Sequence, residues 1–231
     1  MASSAGSAQQ PEPQLPGITI QTKYEPEVDT CQRLFIFVIG AGKRTLSMRL
    51  AEKYGFVHFS VGDVLRQNTG DPVICEYVEE KKLLPSGHLF EIFNNTFKAF
   101  PHELPIIVDG FPRCLEQARE FEKIFGEPKL VLFLHCPRNI VKSRVVGRQD
   151  GRLGETEEVF DKQYNEYREF NPAILDYYGH LRGTNKLVEV NTSEEKEAFW
   201  DKLVQSLGMT PEWNRLLLSF VAQKSTGFWE S

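Results

Sequence analysis

The sequence predicts an α/β protein, a parallel five-stranded sheet flanked by helices, and three observations carry that reading. Short runs are apolar at every position rather than at alternate ones, the pattern of strands covered on both faces. Helical stretches separate these runs, so strand and helix alternate along the chain. The runs stop at Gly40, Asp109-Gly110, His135-Cys136-Pro137 and Asn191. In sheets of this kind ligands sit beyond the carboxyl ends of the strands, so these stops mark where chemistry is expected.

Taken in order, residues 1–32 are rich in Ala, Ser, Gln and Pro. With little apolar material to fix them they are expected to form a disordered tail, since such a segment cannot offset its own ordering entropy. Leu34 to Ile39 is the first strand, His58-Phe59 the second, Ile106 to Val108 the third, Lys129 to Leu134 the fourth and Leu187 to Val190 the fifth. Helices are expected over Leu115 to Ile124 and Asn139 to Val146. The last helix opens on Thr210-Pro211, a good cap followed by a proline at the first helical position. Trp213, Leu216, Leu217, Phe220 and Val221 share one face of it. That face is expected to pack back onto the domain, with a partner-binding helix as the alternative.

Composition excludes several roles. The net charge is −5, so neither nucleic acid nor a membrane surface is an expected partner. No apolar run approaches the roughly 18 residues a spanning helix needs. Lys23 is the only basic side chain among the first thirty residues, which suits neither a secretory signal nor a mitochondrial presequence. Cytoplasm is the expected compartment. Cys31, Cys75, Cys114 and Cys136 are scattered, form no C-x-x-C pair, and read as free thiols.

The candidate chemistry follows the strand ends. Gly40-Ala41-Gly42-Lys43-Arg44-Thr45 puts a glycine turn and a lysine between a strand and a helix. Backbone N–H groups, the helix N-terminus and the lysine of such a turn can hold phosphate oxygens. The phosphate-loop pattern G-x-x-x-x-G-K-[ST] needs four residues between its glycines, and this chain has one. Alone, the run equally fits a plain strand–turn–helix. Ser60-Val61-Gly62-Asp63-Val64-Leu65-Arg66 follows the second strand, and Asp109-Gly110-Phe111-Pro112-Arg113 the third, with Gln117 four residues further on. An acid at a strand end can hold a magnesium-bound water, and arginines offer forked donors to phosphate. Arg144, Arg148 and Arg152 recur every four residues, interrupted by Gly147 and Gly151, which a purely solvated helix face rarely needs.

Ser-x-Gly-Asp-x-Leu-Arg followed some forty residues later by Asp-Gly-Phe-Pro-Arg resembles the adenylate kinases and their nucleoside monophosphate relatives, in their short-lid, cytosolic form. Glu52 to Phe56, Leu83-Leu84-Pro85, Val141 to Arg148 and Asn171 to Tyr178 fit the same pattern, and the likeness spans roughly Arg33 to Leu207. It implies a P-loop kinase-like core over 33–207, a helical monophosphate-binding flap over about 60–101, a short lid over about 147–156, and a C-terminal helical extension over 208–231. It implies ATP and Mg2+ as cofactors and AMP as acceptor, with UMP or CMP as runner-up. By the same resemblance Gly40, Gly42, Lys43, Thr45 and Arg144 bind ATP, with Arg144 against the adenine. Ser60, Arg66, Gly110, Arg113 and Gln117 bind the monophosphate, and Asp109 organises magnesium through water. Lys43, Arg148 and Arg152 act on the moving phosphoryl group.

Three departures from that family stand out. The usual Gly-Gly-Pro-Gly-x-Gly-Lys-Gly-Thr loop is three residues shorter here, and Arg44 replaces its small glycine. Gly154-Glu155 replaces an acidic pair after the lid arginine, and Gln163 replaces the last lid arginine. A lost transition-state charge contact can cost several kcal/mol. Two expectations follow. Either the chain is a working monophosphate kinase, or it is an impaired, adenylate kinase-like pseudoenzyme serving as a structural or regulatory nucleotide-binding subunit. The tail and the final helix are the candidate surfaces for a protein partner.

Overall fold

Five parallel strands in the order β2-β3-β1-β4-β5 form the sheet of the computed structural model, which describes residues 33–146, 156–179 and 186–225. The strands are β1 (Phe35–Gly40), β2 (Val57–Ser60), β3 (Ile106–Asp109), β4 (Leu130–His135) and β5 (Leu187–Asn191). All five expected strands are present. The helices are α1 (Lys43–Tyr54), α2 (Val61–Gln67), α3 (Pro72–Glu79), α4 (Ser86–Lys98), α5 (Leu115–Phe125), α6 (Arg138–Val146), α7 (Glu157–Gly179), α8 (Lys196–Gly208) and α9 (Pro211–Ser225). The expected tail lies outside the described residues, as does nearly all of the expected lid.

Residue alternation along β1 divides the core. Phe35, Phe37 and Ile39 point to one face, where they meet Phe59, Phe111 and Val108 and side chains of α4, α5 and α7. Leu34, Ile36 and Val38 point to the other, against Leu46 and Leu50 of α1 and the helices α8 and α9. Period-2 geometry in a doubly covered strand makes both sets apolar, hence the unbroken run. The first face is dominated by aromatic rings. Phe111 lies 5.2 Å from Phe37, 5.3 Å from Phe93 and 5.2 Å from Phe121, ring centre to ring centre. Phe90 and Phe93 come from α4, so the helical stretch between β2 and β3 is anchored to the sheet by ring packing.

Helix α9 packs back on the domain. Trp213, Leu216 and Phe220 are buried, Trp213 standing edge-on to Tyr54 at 4.9 Å. Val221, expected on the same face, is 58% exposed. At 100° per residue it falls at the margin of the stripe that Trp213, Leu216, Leu217 and Phe220 define. Cys75, Cys114 and Cys136 are free thiols. No described helix is long and apolar enough to cross a membrane.

Candidate active site

Strand register assembles the site. Ser60 of β2 and Val38 of β1 both pair with Asp109 of β3, while Gly40 pairs with Leu134 of β4. The carboxyl ends of β1, β2 and β3 therefore lie side by side. Ser60 caps α2, its Oγ accepting from the Asp63 N–H at 3.4 Å. This gives the serine of the Ser-x-Gly-Asp run a structural task at the place where β2 turns into α2.

The turn between β1 and α1 is two residues long, Ala41 and Gly42. Gly40 and Gly42 adopt φ of +106° and +77°, which L side chains rarely reach. A Cβ on Gly40 would run into the Leu134 carbonyl, so β4 itself closes one side of the turn. The Ala41 N–H is spent on that same carbonyl, at 3.1 Å. That amide is therefore engaged by β4. Lys43 Nζ donates back to the Gly40 carbonyl at 3.2 Å, and the lysine stem passes over Gly110, where an added Cβ would lie 3.4 Å from Cε. Gly110 itself has φ +85°. Lys43 and the Asp109-Gly110 corner are thus brought together as expected, and Thr45 is exposed in the first turn of α1.

Asp109 is 4% exposed, with Oδ2 3.4 Å from Nε2 of His58. Beyond Gly110 the chain plugs Phe111 into the aromatic core at 1% exposure, which fixes Arg113 two residues later. The Arg113 N–H donates to Oε1 of Gln117 at 3.0 Å. Only an oxygen can meet that N–H, so the buried Gln117 amide is oriented with Nε2 as its other hand. Arg113 is exposed to solvent, and desolvation by the protein packed around it lowers its proton affinity. Glu166 and Asp109 oppose that shift, and the like charge of Arg66 adds to it. Arg66 and Arg113 therefore share one electrostatic neighbourhood.

Arg66 folds back over Gly62, where a Cβ would come within 3.3 Å of its guanidinium. Its Nη2 contacts Oδ1 of Asp63, and Arg44 Nη1 contacts Oδ2 of the same carboxylate. Burial alone would push the Asp63 carboxyl up, but Arg66 and Arg44 together hold it below the usual carboxylate range. The sequence reading noticed Arg44 and Asp63 without giving either a task, and missed Glu166 and His58. Arg44 and Asp63 are nineteen residues apart, so no local spacing announced their contact.

Arg144, expected against the adenine, donates to the Thr192 carbonyl at 2.7 Å and the Glu194 carbonyl at 3.1 Å. It stands where β5 leads into α8. Helices α6 and α7 are joined by Lys142 to Glu157 and by Arg138 to Asp161, the latter at 2.5 Å. Arg148 and Arg152, expected in the lid, lie outside the described residues; Gln163 is exposed on α7.

The adenylate kinase family model matches residues 37–182, which takes in every strand end but that of β5. The chain belongs to the adenylate kinase family. Relatives within it carry several names. A protein named UMP-CMP kinase 2 from Oryza sativa subsp. japonica is 34% identical over 174 residues, 73% of this chain and 71% of the relative. A uridylate kinase from Saccharomyces cerevisiae is 31% identical over 176 residues, covering 70% and 85% respectively. An adenylate kinase from Bacteroides thetaiotaomicron is 31% identical over 150 residues, covering 60% and 79%. Relatives of this adenylate kinase-family chain are thus nucleoside monophosphate kinases named for different bases.

Magnesium is the metal such kinases imply, and the donors present suit it in one mode. Asp109 offers a single hard carboxylate at a strand end, able to hold a metal-bound water. No group of three or more His, Cys, Asp and Glu that could hold a metal stands together among the described residues. An ion held chiefly by phosphate oxygens and water fits; an all-protein cage does not.

Proposed function

We propose that this chain is a nucleoside monophosphate kinase, moving a phosphoryl group reversibly from ATP to AMP, in the cytoplasm. The reading is supported by Lys43 lying over Gly110 where β1 and β3 end, and by the charges of Asp109 and Arg66 acting on Arg113. Phosphoryl transfer asks a protein for positioning and charge neutralisation rather than covalent chemistry, and these groups supply both. Arg66 and Arg113 hold the acceptor's phosphate, with Ser60 and Gly110 shaping its approach. Lys43, with Gly40, Gly42 and Thr45, faces the donor's phosphates, and Arg148 and Arg152 close from the lid over 147–156. Asp109 holds magnesium through water; when bound, that ion neutralises charge on the bridging phosphate oxygens. The stretch of about 60–101 serves as the acceptor-binding flap.

Gln117 reads the base. With Oε1 engaged by Arg113, Nε2 is a donor, and a donor suits adenine N1 and also a pyrimidine carbonyl. The names of the relatives, UMP-CMP, uridylate and adenylate kinase, support UMP and CMP as rival acceptors.

A second reading, a nucleotide-binding subunit without turnover, is favoured by the two-residue turn whose Ala41 amide serves the sheet. A coupled assay of ADP formation from ATP with AMP, UMP or CMP separates the two. Turnover within roughly a hundredfold of the 1–100 s⁻¹ common for kinases is expected. Tight monophosphate binding with no detectable turnover would install the second reading instead.

A further inference from the structure

We propose that Arg44 is a phosphate ligand, a third guanidinium that grips the acceptor's phosphate beside Arg66 and Arg113. The inference rests on the monophosphate site proposed above. Asp63 presents one oxygen to Arg44 and the other to Arg66, so the two guanidiniums, from different helices, stand one carboxylate apart. Carboxylate and phosphate offer arginine the same bidentate geometry. Each arginine reaches its carboxylate oxygen through one guanidinium nitrogen, so the two are spaced to share the oxygens of one small anion.

The alternative, a simple brace between α1 and α2, is a poor account of the residue. The side chains of Arg44 and Arg66 are 46% and 45% exposed, and pairs this open contribute little to stability. Arg44 also stands in the first turn of α1, next to Lys43, with no acid in that turn. Two cations at the positive end of a helix repel the dipole and each other, so the placement costs stability unless an anion offsets it. Asp63 is one such anion. A phosphate is a stronger one. In this account Asp63 keeps both arginines in register and yields to the phosphate.

Calorimetric titration of AMP, UMP and CMP into the full chain tests the assignment, using Arg44→Gly, Arg44→Lys and Asp63→Asn. Arg44→Gly should weaken the preferred monophosphate about tenfold, the value of one charge-assisted contact at an open site. Arg44→Lys, which keeps charge without the fork, should fall between, and Asp63→Asn should bind no more weakly than wild type. Binding by Arg44→Gly within twofold of wild type overturns the assignment, as does an equal loss in Asp63→Asn, the mark of a brace. Should the wild-type chain bind none of the three, the monophosphate site itself falls. Thermal melts of each variant separate lost binding from lost fold, and Arg44→Lys carries the test if the glycine variant melts early.

Discussion

Phe111 joins the stability of this molecule to its chemistry, and Phe111→Ala should damage both. The ring is 1% exposed and makes edge-on or tilted contact with Phe37, Phe90, Phe93 and Phe121. An aromatic side chain buries about 150–250 Å². At about 25 cal/mol per Å² that is about 4–6 kcal/mol for the whole side chain, of which alanine retains the Cβ share. Adding the cavity left among rigid rings, the expected loss is about 3–5 kcal/mol, a large part of the stability of an ordinary domain. Urea unfolding followed by fluorescence should show the midpoint fall with an unchanged slope. Phe111→Leu should lose about half as much. Under conditions where the alanine variant stays folded, monophosphate affinity should still fall, because Arg113 is aimed from this anchor. A loss below about 1 kcal/mol, with affinity intact, would refute the claim that the ring places the loop.

Two further outcomes are expected. Inserting three residues so that the turn reads Gly-Gly-Pro-Gly-Ala-Gly-Lys should raise ATP affinity or turnover about tenfold or more, since one preorganised donor can be worth 10²–10³; unchanged ATP kinetics would show that the turn does not limit the reaction. In alkaline titration monitored at the phenolate band, Tyr167 and Tyr178 should ionise above the usual tyrosine range. Burial raises both, Tyr167 to about 12, with Tyr164 adding to the shift at Tyr167 and Glu122 at Tyr178. Their native pKa lies above the unfolded value near 10, so their stabilising effect is whole below about pH 10 and drains away as pH climbs toward 12. Acid-side loss of stability assigned to these tyrosines would contradict that sign.

Much of the fold was legible because strands buried on both faces leave nothing polar to interrupt them: Leu34 to Ile39 and Lys129 to Leu134 became β1 and β4 within a residue at either end. The site was legible where its residues sit at strand ends, as Asp109, Gly110 and Arg113 do. What stayed hidden depended on distant chain. Nothing near Arg144 foretold that the Thr192 and Glu194 carbonyls would take its guanidinium, and nothing near Arg44 named Asp63 as its partner. Val221 was misplaced because periodicity gives the direction of a side chain but does not decide burial at the margin of a stripe.

The family match ends at residue 182, yet the sheet face holding Ile36, Val38 and Leu132 is roofed by Trp200, Leu203 and Leu207 of α8 and Trp213, Leu216 and Phe220 of α9. Two helices beyond the matched segment therefore share with α1 the task of keeping one face of the sheet dry. A chain trimmed to the segment that carries every motif would have a greasy wall where its back should be, and its arginines would have no rigid platform from which to act.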